Sequence, residues 1–85
     1  MASYSVFIKP SAARELAAVP LWDRRRLVAR IGRLASDPRP PGCEKLTGAE
    51  RYRIRQGVWR VLYTIADEVV TVVVVKVGQR REVYR

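Results

Sequence analysis

The stretch RYRIRQGVWRVLY, residues 51–63, decides the fold because its pattern is that of a β-hairpin. Polar and apolar residues alternate along it, as they do in strands with one dry face and one solvated face. Gly57 can supply the positive φ that a two-residue hairpin turn needs, so the sequence predicts a turn at Gln56-Gly57. In that register Arg53 lies directly opposite Arg60.

The predicted hairpin divides its side chains between two chemically different faces, because directly opposed residues of an antiparallel pair share a face. One face carries Tyr52, Ile54, Trp59, Val61 and Tyr63, and the other carries Arg51, Arg53, Arg55 and Arg60. Trp59 and Tyr63 are expected to pack in the core. Opposed like charges destabilise a sheet, so the arginine face indicates either a solvated surface or a partner that carries phosphates.

The composition favours one small domain with an anionic partner. The 85 residues suffice for a single domain, residues 1–85, and the 48% hydrophobic content is enough for a globular fold. Seventeen Lys and Arg against eight Asp and Glu give a net charge of +9, and three of the basic residues are Lys. Arg binds phosphates in a bidentate manner and stacks on bases, so we expect nucleic acid first and an acidic protein second.

Several kinds of chemistry are excluded by the residue types. The chain has no His and one Cys, Cys43, which rules out Ser-His-Asp and Cys-His catalysis, the usual zinc sites and a disulfide framework. It has no glycine-rich phosphate loop and no acid pair spaced for Mg²⁺, so we expect no cofactor and no metal. Residues 1–10 do not form a signal peptide, and residues 69–75 are too short to span a bilayer. We therefore expect a soluble, cytoplasmic protein with no membrane partner.

The remaining elements predict how the hairpin is covered. The patterns indicate a strand over 4–9, helices over 11–19 and 21–36, a proline-rich loop over 37–43 and an interior strand over 69–77. The order β-α-α-β-β-β predicts a two-layer α+β fold, with an antiparallel sheet of about four strands and two helices on one face. The hairpin arginines would then occupy the uncovered face.

Three motifs in combination resemble the RelE/ParE superfamily of bacterial toxins, and specifically its RelE branch. They are the hairpin with its preceding LTG at 46–48, the terminal VGQRREVYR at 77–85, and the first-helix motif AARELAAVP at 12–20. The resemblance implies the toxin of a type II toxin–antitoxin system, with a RelE-like, microbial ribonuclease-like fold. It implies an endoribonuclease that cuts mRNA in the ribosomal A site without a metal.

The resemblance also implies partners and site residues. The partners are a RelB-like antitoxin with an acidic helical segment, the ribosome with its mRNA, and operator DNA bound only by the toxin–antitoxin complex. The predicted catalytic residues are Arg60, Arg80 and Tyr84, and the predicted RNA-binding residues are Arg51, Arg53, Arg55 and Arg81. Arg is a poor base, so proton transfer is left to Tyr84, Glu82, or a group of RNA or water. Gln79 stands where many relatives have His, so a His-based proton route is absent.

Two other functions remain open at this point. The first is a ParE-like gyrase inhibitor, which has the same fold but a protein target. The second is a non-catalytic basic module that binds RNA or DNA through the arginine face. The nuclease is favoured because the arginines and the near-terminal tyrosine of the family pattern occur together.

Overall fold

The computed structural model describes residues 3–46 and 50–79. Its α+β class, with two helices packed on one sheet, confirms the predicted fold class. The strands are β1 Ser5–Ile8, β2 Glu44–Lys45, β3 Arg51–Gln56, β4 Trp59–Ala66 and β5 Thr71–Gln79. The helices are α1 Pro10–Ala17 and α2 Leu21–Arg33, and a 3₁₀ turn at Asp67–Val69 joins β4 to β5.

The sheet has five strands in the order β1-β5-β4-β3-β2 and is mixed. The predicted sheet of about four antiparallel strands is therefore wrong in two respects. The two-residue β2 adds an edge strand beside β3, and β1 runs parallel to β5, with Ser5 beside Thr71 and Ile8 beside Val74. A parallel neighbour needs a crossover connection, and here the pairing joins the two ends of the described chain. No local pattern reveals such a long-range contact.

Both helices begin after a proline or at one. Pro10 occupies the first turn of α1, where its missing N–H costs no hydrogen bond, and Lys9 is the N-cap residue. Each helix is shorter than predicted, α1 ending at Ala17 and α2 at Arg33. Neither helix, nor any other in the described ranges, has the length and apolarity to cross a membrane.

One hydrophobic core lies between the helices and the sheet. Each helix contributes residues at three- and four-residue spacing, and the sheet contributes alternate residues of its three central strands. The residues of the helices are Ala12, Leu16, Leu27 and Ile31, with Val19 and Leu34 just beyond the helix ends, and the sheet residues are Ile54, Val61, Tyr63, Val72, Val74 and Val77. The core therefore covers one face of the sheet and leaves the other face to different neighbours.

A polar cluster, which we call the loop clasp, ties the proline-rich loop to the end of the sheet remote from the hairpin turn. It consists of Tyr4, Arg39, Tyr52, Tyr63 and Asp67. The Arg39 guanidinium donates two hydrogen bonds to the Asp67 carboxylate, at 3.0 and 3.2 Å, and stacks 5.2 Å from the Tyr52 ring centroid. The Tyr4 hydroxyl donates to Asp67 at 2.7 Å. Two strand ends and the loop are thereby held together.

The deepest member of the loop clasp is Tyr63. Its ring is fully buried and stacks on that of Tyr52 at 5.9 Å, and its hydroxyl donates to the Pro38 carbonyl at 2.7 Å. Burial raises the pKa of the Tyr63 hydroxyl well above its usual range. At the surface, the hydrogen bond from Arg39, and next that from Tyr4, lowers the pKa of Asp67. Each polar group thus keeps the protonation state that its hydrogen bonds require.

Candidate nucleic-acid interface

The hairpin turns at Gly57-Val58 and not at Gln56-Gly57. Gly57 has a φ of 61° and is the first of the two turn residues, whereas Val58 does not have a positive φ. This is the arrangement of a type II′ turn, which favours Gly in the first position. The predicted register is therefore wrong by two residues, and Arg55, rather than Arg53, lies opposite Arg60.

The predicted division of side chains between the two faces is nevertheless confirmed, because a shift of two residues leaves the alternation unchanged. Tyr63 lies in the core and the half-buried Trp59 packs against it, as predicted. The arginine side chains point away from the helices, and we call this set the hairpin arginines: Arg51, Arg53, Arg55 and Arg60.

The hairpin arginines differ in their exposure to solvent. Arg51 and Arg55 are exposed, but only 9% of Arg53 and 7% of Arg60 are accessible. The face that the helices leave uncovered therefore carries two exposed and two buried arginine side chains. A charge pattern alone indicates solvation, and it cannot show that two of four like-charged side chains are buried.

Glu44 is a member of this face that the sequence did not reveal. Strand β2 places it directly opposite Arg53, and its carboxylate forms an ion pair with Arg53 and another, at 3.8 Å, with Arg55. It therefore offsets part of the repulsion between the hairpin arginines. A two-residue strand has no periodicity to detect, so the sequence held no signal for this contact.

Arg60 is held by backbone oxygens. Its Nη1 donates long hydrogen bonds to the carbonyls of Gly57, at 3.4 Å, and Trp59, at 3.3 Å. Its buried Nε has no hydrogen-bond partner among the described residues, and no described carboxylate forms an ion pair with it. Gly78 lies directly opposite on β5 and places no side chain beside the guanidinium. A buried cation with incomplete partners is suited to accept an anion.

The other predicted site residues, Arg80, Arg81 and Tyr84, lie outside the described residues, as does Glu82. The structure therefore brings together Arg51, Arg53, Arg55 and Arg60, and it adds Glu44. Within the part of the chain that the structure describes, no three His, Cys, Asp or Glu side chains form a group that could hold a metal ion.

A pocket of about 270 Å³ lies on the other side of the sheet, between the end of α1 and the strands next to the hairpin turn. Glu15 stands at its edge, accepting the Val77 N–H at 3.0 Å and pairing with Lys76 at 3.3 Å. The half-buried Trp59 also lines it. The pocket belongs to the helix layer and is separate from the hairpin arginines.

Comparison with known proteins identifies the class of molecule. Residues 6–84 match the family described as the ParE toxin of type II toxin-antitoxin system, parDE. The chain therefore belongs to the ParE toxin family, within the RelE/ParE superfamily that its motifs resemble. No curated protein matched it in sequence.

Solved structures of RelE toxins share its fold. The Mycobacterium tuberculosis RelBE2 toxin–antitoxin complex is 31% identical, with 92% of this chain and 99% of that chain covered and a TM-score of 0.81. The Pyrococcus horikoshii RelE–RelB complex is 26% identical, with 94% and 98% covered and a TM-score of 0.84. The isolated Escherichia coli RelE toxin is 29% identical, with 96% and 92% covered and a TM-score of 0.80.

Proposed function

We propose that this toxin is an endoribonuclease that cuts mRNA in the ribosomal A site and so inhibits translation. The observation that carries the proposal is the buried guanidinium of Arg60. It has no described carboxylate partner, and it shares a sheet face with the exposed Arg51 and Arg55. A fixed cation in a site of low solvent access stabilises developing negative charge far better than a mobile cation in water.

The reaction that suits these residues is cleavage by the neighbouring 2′-hydroxyl. The 2′-oxygen bonds to phosphorus and the bond from phosphorus to the 5′-oxygen breaks, so the products are a cyclic phosphate and a free 5′-hydroxyl. The 2′-hydroxyl gives up a proton and the leaving 5′-oxygen gains one. Arg60 would stabilise charge on the phosphorane, while Arg51, Arg53 and Arg55 would align the RNA backbone. Arg80, Tyr84 and Arg81 keep their proposed roles in catalysis and RNA binding.

Glu44 is the described acidic residue that contacts the hairpin arginines, and it joins Tyr84 and Glu82 as a candidate proton acceptor. A carboxylate can accept the proton of the 2′-hydroxyl, whereas an Arg guanidinium is protonated throughout the physiological range. Glu44 would need to exchange part of its contact with Arg53 for a contact with the RNA.

The similar structures support the proposed antitoxin partner. The similar solved structures include complexes of RelE with its antitoxin RelB. We propose that a cognate RelB-like antitoxin binds this chain through an acidic helical segment, which the net charge of +9 would attract. The toxin–antitoxin complex, and not the toxin alone, would bind operator DNA. The free toxin would act on ribosomes in the cytoplasm.

Translation of a defined mRNA by purified ribosomes, followed by primer extension, tests the nuclease. We expect cleavage within the A-site codon, and we expect Arg60→Ala to lower the rate about 10²–10³-fold, the usual effect of losing one donor to a transition-state charge. Arg14→Ala, on the exposed side of α1, removes the same charge and should cut normally. Intact A-site codons with the unmodified toxin, or equal rates for the two variants, would contradict the proposal.

The family match supports a second candidate, a gyrase inhibitor, because the matching family is that of ParE. In that case the hairpin arginines would contact a protein, and ribosomes would be left intact. A DNA supercoiling assay with purified gyrase separates the two functions. Inhibition of supercoiling without mRNA cleavage would establish the second candidate.

A further inference from the structure

A second set of arginines lies on the helix layer, away from the hairpin. Trp22, Arg26, Arg30 and Arg33 follow one another at spacings of four, four and three residues along α2, so they form one stripe on the helix surface. We call this set the α2 stripe. It lies beside the buried stripe formed by Leu27 and Ile31.

The α2 stripe carries positive charge that no described residue neutralises. Arg26 and Arg33 are exposed and Arg30 is half-buried, and none of the three takes part in an ion pair within residues 3–46 and 50–79. Arg24 behaves differently, since it donates hydrogen bonds to the carbonyls of Ala17, at 3.0 Å, and Val19, at 3.5 Å. Arg24 joins the two helices, whereas the arginine side chains of the stripe make no such hydrogen bond within the described part of the chain.

Trp22 gives the α2 stripe an aromatic member. Its side chain is 68% exposed, which is unusual for the largest apolar residue. The guanidinium of Arg25 lies 5.1 Å from the ring centroid and covers one side of the ring. The high exposure shows that much of the remaining ring surface is accessible. An open aromatic face next to a row of arginines is the combination on which proteins stack the bases of single-stranded nucleic acids.

We propose that the α2 stripe is a second RNA-binding surface, with arginines on successive phosphates and an unstacked base on Trp22. The proposal deepens the proposed function by giving the toxin a second RNA contact. The stripe spans twelve residues, 22–33, or about 16 Å for the eleven steps of 1.5 Å between them, so it is long enough for its arginines to follow a short stretch of RNA backbone. RNA fits this stripe because three of its four side chains are arginines, whereas the exposed apolar residues Leu21 and Val28 stand one and six residues from Trp22 and so lie off the stripe.

Fluorescence of Trp22 tests the proposal directly. The chain has two tryptophans, so Trp59→Phe leaves Trp22 as the single indole emitter. We expect a short single-stranded RNA, protected from cleavage by 2′-O-methyl groups, to quench this emission in the full chain. In the same background, Arg26→Gln with Arg33→Gln should lower the slope of log affinity against log salt by about 1.4, or about 0.7 for each phosphate contact.

The matched control removes two charges elsewhere. Lys9→Gln with Arg14→Gln changes exposed residues near the start of α1 and should leave the salt slope of Trp22 quenching unchanged. Equal slopes in the two double variants, or no quenching by RNA, would overturn the proposal. Quenching by poly-glutamate but not by RNA would instead assign the stripe to an acidic protein. The quenching measurement does not depend on cleavage. An Arg60→Ala variant that no longer cuts mRNA but still shows RNA quenching of Trp22 would therefore distinguish failure of the nuclease from failure of the second RNA contact.

Discussion

The two ends of the β3–β4 pair use the same residue types in opposite ways. In the loop clasp, Arg39 has a bidentate carboxylate partner and the buried Tyr63 hydroxyl has a backbone acceptor. At the hairpin end, Arg60 is more deeply buried, yet its Nε has no partner among the described residues. Complete networks stabilise a fold, whereas an incompletely paired buried charge costs stability and is retained for another reason. The contrast separates a structural cluster from the candidate interface.

The largest effect on stability should come from the loop clasp. Tyr63→Ala removes the largest fully buried side chain and should cost about 3–5 kcal/mol in the free energy of unfolding, measured by urea denaturation. Tyr63→Phe keeps the ring but leaves the Pro38 carbonyl without its donor, at a cost of about 1–3 kcal/mol. A Phe variant as stable as the parent protein would show that the hydrogen bond contributes nothing.

Matched changes of two arginines should have opposite signs. Arg60→Met replaces a poorly paired buried charge by an apolar side chain of similar length, and it should raise the free energy of unfolding by about 1–2 kcal/mol while lowering the cleavage rate as much as Arg60→Ala does. Arg39→Met should lower the unfolding midpoint, because it removes the partner of Asp67. If both variants lose stability, the distinction between the two ends fails.

Glu44→Gln probes the ion pair at the edge of the hairpin arginines. It should cost about 1 kcal/mol, because Arg53 is buried but Glu44 is more than half exposed. It should also tighten RNA binding, since a competing negative charge is lost, and it should slow cleavage if Glu44 accepts the proton. Glu50→Gln, a similar change at an exposed acid paired with Lys45 at 3.9 Å, serves as the control. Weaker RNA binding by the Glu44 variant would contradict the first expectation.

The smallest effect should be a change in acid stability. Hydrogen bonds, first from Arg39, lower the pKa of Asp67 in the folded state. The contribution of Asp67 is therefore fully present above the unfolded pKa of about 3.9, and it is lost as the pH falls through the lower folded pKa. Thermal melts of Asp67→Asn and the parent protein should differ at neutral pH and converge in strong acid. A difference in melting temperature that grows on acidification would contradict this prediction.

The sequence predicted the faces of the hairpin better than its turn. Gly57 fits either position of a two-residue turn, depending on the turn type, so the register was ambiguous by two residues. Because strand alternation has a period of two, both registers place Arg53, Arg55 and Arg60 on the same side. The error in the register therefore left the face of each side chain unchanged, but it changed which residue lies opposite each arginine.

Features that depend on distant contacts were not predictable. The parallel pairing of β1 with β5 and the placement of Glu44 beside Arg53 both require knowledge of the folded chain. The β-bulge between Leu62 and Tyr63 likewise has no sequence signal, because the opposite strand is an unbroken run of valines there. Arg60 is buried, although a charged residue in an alternating strand usually indicates the solvated face. These exceptions to the local rules include the residues of the candidate interface.

The pairing of β1 with β5 has a consequence for how this toxin is made. Ser5 is made well before Thr71, its neighbour in the sheet. The first strand must wait unpaired, because closing so long a loop requires the last strand to be present. The sheet, and with it the face that the hairpin arginines share, is therefore completed only after β5 has been made.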